Sequence, residues 1–346
     1  GWKSNIDKGK KIINHDKKAK GKNPMRTQMK TLTAYLGLLM LPGAANAAEK
    51  AEVSSTMHGV FASDKGQVVK YDAEGNVLLK FRTGSVHRIQ QLQNGNVLCQ
   101  SGWRKLIEVN PEGKTVWSYD AQNSNGNKGK RLEVHAFQRL ENGNTMLVEN
   151  GIGRIIEINK TGEIQHELKY KVKQLNAHRD VRQGHKLKNG NYLLCHEGEG
   201  RVTEYSPDGR IAWDYQVSLF GKPRKGGHGP EAWGNQVFNA IRLPSGNTLI
   251  ATGSGHSVLE VTPKKEIVWH LKQKDIPGVT LAWVTSLELV PNGNIIIGNC
   301  HAGLDNPQLI EVSKDKKLVW SFKDFKNLGN STAASATIGV KGEVIR

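Results

Sequence analysis

"LVPNGNIIIGNCHAGLDNPQLIEVSKDKKLVW", residues 289–320, decides the fold. Two apolar, strand-like runs flank Asn292-Gly293, and Asn-Gly between such runs is the strongest short hairpin signal, since a two-residue turn needs positive φ at both positions. Glu311 follows between apolar neighbours, then a polar turn at 313–317, then a strand ending in Trp320. The same plan occurs four times upstream. Its first turns read QNGN (93–96), ENGN (141–144), KNGN (188–191) and PSGN (244–247), and its glutamates are Glu108, Glu157, Glu204 and Glu260. Trp117, Trp213 and Trp269 close three of the units, and Gln165 takes the tryptophan's place in the second. Nothing helical separates the turns. Four strands per unit of ~40–50 residues is the signature of a β-propeller blade.

The count comes from the two ends of the repeat. Residues 55–63 and 66–81 match the last three strands of a blade without an inner strand before them, and residues 331–340 offer one strand with nothing after it. The C-terminal strand is therefore expected to join the N-terminal three and remove the exposed edges. The fold class that follows is all-β: a six-bladed propeller of four-stranded antiparallel blades over residues 48–346. A seventh blade would have to lie in residues 216–236, which are too few.

Upstream of the ring stand two other segments. Residues 1–24 are lysine-rich and nearly free of large apolar side chains, which reads as a disordered or non-native basic leader. Residues 25–47 carry Arg26 and Lys30, an apolar run from Leu32 to Leu41, and Ala45-Asn46-Ala47, the layout of a secretory signal peptide. The apolar run is too short to span a bilayer, so no membrane insertion is expected, and the protein is expected to be periplasmic or secreted. The chain carries 49 basic and 32 acidic residues, a net +17. Residues 1–48 hold ten of the basic and two of the acidic ones, leaving 39 against 30 for the ring. That balance suits a small anionic molecule or a carbohydrate and gives no reason to expect nucleic acid. Cys99, Cys195 and Cys300 are too few and too scattered for a disulfide framework. A monomer is expected.

The units "RLPSGNTLIATGSGHSVLEVTPKKEIVW" (242–269) and 289–320 resemble repeats of the arylsulfotransferase-like and quinoprotein (PQQ)-like β-propeller proteins, over nearly all of residues 53–340. The larger arylsulfotransferases so resembled transfer a sulfuryl group through a histidine with further His and Arg around it. No extended motif here selects one histidine for that role. The quinoproteins resembled hold their quinone with eight blades or a dedicated calcium site; neither shows in the sequence, and PQQ is not expected.

Candidate site residues come from the repeat's own geometry. The start of each inner strand and the end of the second strand share the ring face away from the Asn-Gly turns. There stand His87, His135 and Arg182 on inner strands, and Glu149, His196 and Asn299 at second-strand ends, with His301 just beyond. His178 and Arg179 enter blade three, Trp283 enters blade five, and His228 with Trp233 lies in a glycine-rich insertion, 226–236, suited to a lid. Imidazoles near neutral pKa can act as acid, base or nucleophile, which makes His87, His135, His178 and His301 the catalytic candidates. Arginine beside histidine suits oxyanions, which makes Arg179 and Arg182 binding candidates, together with Glu149, His196, His228, Asn299 and Trp283. The pairs Cys195-His196 and Cys300-His301 match no compact metal motif, and Arg182 would repel a cation, so no resident metal or cofactor is expected. Two function classes remain: an enzyme (a sulfotransferase-like group transferase, or a polysaccharide lyase or hydrolase), and a non-catalytic ligand-binding or docking propeller. The repeated glutamates read as structural.

Overall fold

A computed structural model describes residues 49–55 and 57–346; the leader and signal-peptide readings fall outside them. Six sheets follow one another around a ring. Blade one is Ile89–Gln91, Val97–Gln100, Lys105–Val109 and Thr115–Asp120, and blades two to five repeat that order through residues 137–169, 184–216, 239–271 and 283–323. Blade six is the closing one. Ala334–Ile338 supplies its inner strand against Gly59–Asp64, with Phe61 paired to Ala336, and Gln67–Tyr71 and Val77–Arg82 complete it. Glu52–Val53 adds a short fifth strand to blade five.

The middle strands are buried on both faces, which explains their unbroken apolar runs: Ile295, Ile296 and Ile297 are each at most 1% exposed. Six apolar clusters fill the six junctions between neighbouring blades. Ile297 and Ile310 of blade five meet Leu249 and Val258 of blade four, and Phe61 and Ala336 of blade six meet Val97 and Cys99 of blade one. The cluster of Val60, Ala62, Leu309 and Trp320 completes the circle between blades five and six.

One feature of the hairpins departs from the sequence reading. Only the glycine of each turn has positive φ, from 82° at Gly95 to 88° at Gly190; the residue before it, asparagine in four turns and Ser245 in blade four, does not. Gly95 N donates to Leu92 O at 3.0 Å, and Leu92 N to Asn96 O at 2.8 Å. This is a type I turn followed by a left-handed glycine, a three-residue loop rather than a two-residue one. The Asn94 carboxamide accepts from Asn96 N at 3.0 Å, so the side chain itself holds the turn. The register consequently moves by one residue. Ile89 pairs with Cys99, and a one-residue shift changes which side chains meet across the hairpin.

The repeated glutamate is the ring's fastener. Glu204 accepts from Asn189 at 3.3 Å and Asn191 at 2.6 Å in its own blade's turn, and pairs with Arg242 of the next blade at 2.6 Å. Glu108, Glu260 and Glu311 repeat this with their own turn asparagines and with Arg139, Lys314 and His58. In blade two, Glu157 instead takes Lys186 and the Tyr192 hydroxyl, each at 2.5 Å, both from blade three. Three of the tryptophans donate to the following blade's outer-turn carbonyl: Trp117 to Lys160, Trp213 to Pro263 and Trp269 to Lys314.

Inner strands of adjacent blades do not pair, so side chains satisfy their backbone groups. Gln90 accepts from Arg139 N at 2.7 Å and donates to Arg139 O at 3.1 Å; Gln138 accepts from Lys186 N, and Ser286 from Ser335 N. The result is a channel wall of amides and hydroxyls.

Candidate functional site

A cavity of about 1200 Å³ lies on the ring axis. Inner-strand residues of every blade line it, and Glu141, Asn142, Lys188 and Asn189 stand at its mouth with Val344, Ile345 and Arg346. These mouth residues mark the Asn-Gly turn face, so the large opening is on the side opposite the one the sequence pointed to. The other end is closed by the side chains that begin the inner strands. His135 is 0% exposed, Phe238 3% and Arg182 4%, and the Arg182 guanidinium lies 5.8 Å from the Phe238 ring centre.

At the inner end of the cavity lies Arg88, one residue from the expected His87. Its Nη1 donates to Gln183 Oε1 at 2.8 Å, and its Nη2 lies 3.3 Å from His185 Nδ1. His185 Nε2 in turn faces Asn239 Oδ1 at 3.0 Å, so its Nδ1 is the acceptor. Burial, and then the neighbouring Arg88 charge, pushes the His185 imidazole down to about 3, so it stays neutral. Among the described residues no carboxylate lies within 4.0 Å of the Arg88 guanidinium, and its Nε is buried without any partner. Burial lowers Arg88 to about 10, which still leaves it charged at neutral pH. The other arginines of the inner strands each have an acid: Arg139 has Glu108, Arg182 has Glu197, Arg242 has Glu204.

His87, His135, His178 and Arg182 do come together, on the sealed side. His87 Nδ1 lies 3.0 Å from His135 Nδ1 and 2.6 Å from Arg182 Nη1. His135 Nε2 and His178 Nδ1 converge on one oxygen, Glu133 Oε2, at 2.9 and 2.7 Å. Trp103 packs over all three histidines, with ring centres 4.6 to 5.4 Å apart. Burial, then the Arg182 charge, holds His87 well below its usual value. Burial brings His135 down to about 3, outweighing the pull of the neighbouring Glu133 carboxylate. Burial alone would raise Glu133, but the imidazoles of His135 and His178 facing its oxygen prevail and hold it at about 2.

A second group forms across Phe238. His228 stacks on Trp283 and on His301 at ring-centre distances of 4.8 and 5.0 Å, while Cys300 packs with Phe238 and Trp283. Cys300 Sγ is 2.8 Å from His301 Nδ1, and the other ring nitrogen faces Ser331 Oγ at 3.2 Å. Burial raises the thiol and lowers the imidazole, so the pair is neutral rather than a thiolate–imidazolium couple.

The remaining candidates lie elsewhere. His196 is buried between Asp180 O and the Tyr205 hydroxyl, at 3.1 Å from each. Glu149 binds Arg154 and Asn127, and Asn299 caps Ala282 N while donating to Thr280 O. These three side chains hold loops in place. Arg179 is exposed on the surface. Sequence reasoning missed Trp103, Glu133 and Glu197, which lie on loops outside the repeat, and Arg88, Gln183 and His185 on the inner strands. The tandem His87-Arg88 was the available signal for Arg88.

No protein-family model matches the chain, and no curated protein matches it. Solved structures do. A protein of unknown function from Bacteroides caccae is similar over 82% of this chain and 99% of its own, with a TM-score of 0.67 at 20% identity. A streptogramin B lyase structure is similar over 79% of this chain and 87% of its own, with a TM-score of 0.52 at 12% identity. At these identities the likeness shows the β-propeller fold.

Proposed function

We propose that this is an exported ligand-binding propeller whose axial cavity takes a small anionic molecule, with Arg88 as the charge that selects it. The observation that carries the reading is the unpaired guanidinium at the inner end of a 1200 Å³ cavity. A buried cation without a counter-ion is costly, and an oxyanion supplied by a ligand removes that cost through charge-assisted hydrogen bonds. Gln183, His185 and Asn239 hold the guanidinium in place, and the amide-lined wall suits the hydroxyls of a sugar acid, sugar phosphate or sugar sulfate. The signal-peptide pattern at residues 25–47 supports export.

Binding fits the cavity better than group transfer. A transferring histidine needs a lone pair facing the bound group, but Arg182 and His135 occupy His87 Nδ1, and Asn239 and Arg88 engage the two nitrogens of His185. The arylsulfotransferase-like reading therefore has no histidine ready at the anion position.

The test is a melting and calorimetric titration with sulfate, glucose 1-phosphate and glucuronate, repeated on Arg88→Gln. Binding at a hundred times Kd stabilises by about 2.7 kcal/mol, an upward shift in Tm that Arg88→Gln should abolish. Equal shifts in wild type and variant, or none in either, would sink the reading, as would turnover of 4-nitrophenyl sulfate independent of Arg88.

A further inference from the structure

We infer that Glu133, His135 and His178 form a binding site for one divalent transition-metal ion, of the zinc class, on the sealed face of the ring. The three donor atoms, Glu133 Oε2, His135 Nε2 and His178 Nδ1, lie within 4.8 Å of one another. Two imidazole nitrogens with one carboxylate oxygen, leaving further positions open, is the donor set of a zinc or non-haem iron centre.

Proton accounting makes the geometry more specific. Arg182 is always a donor, so His87 Nδ1, 2.6 Å from its Nη1, must carry a lone pair. His135 Nδ1 is 3.0 Å from that same lone pair and must therefore carry the proton. In the neutral tautomer, His135 Nε2 then has a lone pair of its own, aimed at the Glu133 carboxylate 2.9 Å away. Two lone pairs facing each other need a proton or a metal ion between or beside them. A second proton on His135 would create an imidazolium on a side chain with 0% exposure, with only His87 separating it from Arg182. A metal ion answers the same requirement, and it matches the usual support of a metal-bound histidine, whose other N–H is held by an acceptor. That acceptor is His87.

Charge and access agree. Arg182 is balanced by Glu197, so the carboxylate of Glu133 remains to attract a cation. Trp103 shields the histidines on one side, while the His178 side chain, 44% exposed, leaves the other side open. Zinc bonds of about 2.0–2.1 Å need donor atoms roughly 3.3 Å apart, so the 2.7 and 2.9 Å contacts open by about half an ångström as the ion enters. Cys195-His196 and Cys300-His301, the pairs that look metal-capable in the sequence, take no part. The site is also separate from Arg88, so either proposal can fail alone.

The experiment uses the full chain, stripped with EDTA and titrated with Co²⁺ by visible spectroscopy and with Zn²⁺ by calorimetry. One equivalent should bind, with d–d bands that zinc displaces. His178→Ala and Glu133→Gln should each weaken binding at least tenfold, while His228→Ala retains it. Near-UV circular dichroism of the variants guards against misfolding, and His178→Ala, altering a partly exposed loop residue, tests the site even if His135→Ala does not fold. No cobalt bands in the wild type, or equal uptake by folded His178→Ala and Glu133→Gln, overturns the inference.

Discussion

Replacing Glu204 with alanine tests whether the repeated glutamate fastens one blade to the next. The side chain is 9% exposed and receives Asn191 at 2.6 Å and Arg242 at 2.6 Å, with Asn189 at a weaker 3.3 Å. A hydrogen bond to a charged group contributes about 1.5–3 kcal/mol, so losing Asn191 alone costs about 2. Arg242 would keep its bond to Gly246 O at 3.0 Å and its stacking over Trp213, but would lose its acid while only 19% exposed. That adds about 1–2 kcal/mol, less than the 3–5 of a fully buried orphan. The sum is about 3–4 kcal/mol, and in a ring of roughly 300 residues this lowers Tm by about 6 °C. Urea denaturation of Glu204→Ala beside Glu163→Ala is the assay. Glu163 is exposed and binds only Asn159 of its own turn, so its loss should stay near 0.5 kcal/mol. A double-mutant cycle with Arg242→Leu isolates the inter-blade part. A Glu204→Ala loss below about 1 kcal/mol, or zero coupling to Arg242, refutes the fastener argument.

Deleting residues 331–346 removes the strand paired with Gly59–Asp64 and takes Ala334 and Ala336 out of the junction with blade one, so the truncated chain should be aggregated and protease-sensitive; a monomer with unchanged melting would contradict the closure. Acid should destabilise the fold well above the carboxylate range. Burial holds His185 at about 3 and His196 at about 4, so between those values and ~6.5 the unfolded chain binds protons that the folded one does not. Stability is full above pH 6.5 and falls below it, by about 2 kcal/mol per histidine between pH 7 and 5; urea midpoints that do not move over that interval would contradict the burial. Arg88→Gln and the cobalt titration complete the set, one for each end of the axis.

The blades were readable because their signals are local and repeated. Asn-Gly turns, the glutamate and the tryptophan recur at fixed offsets, and each has one physical use that every blade needs. The turn type was not readable in the same way. Asn-Gly is compatible with two positive-φ residues or with one, and the structure takes the second, with Asn94 hydrogen-bonding forward to Asn96 N. Five turns share that choice, so one misassigned dihedral shifted the expected hairpin pairing in every blade by a residue.

The binding chemistry depends on contacts that no period encodes. Equivalence between blades was enough to bring out His87, His135 and Arg182, because they occupy one position of the repeat. Trp103 and Glu133 reach the same point from loops, and a loop's path is set by packing rather than by spacing. The same equivalence misled at second-strand ends. Glu149, His196 and Asn299 are polar there because a strand leaving a buried sheet must satisfy loop backbone and neighbouring polar groups, which they do through Asn127, Asp180 O and Ala282 N. Arg88 is the opposite case. Its neighbours in the repeat are Ala136, Gln183, Asn239 and Ser286, of which the polar ones hold a partner or a wall. A guanidinium among them stands out only once Glu108, Glu197 and Glu204 have been assigned to Arg139, Arg182 and Arg242, and that requires the folded ring.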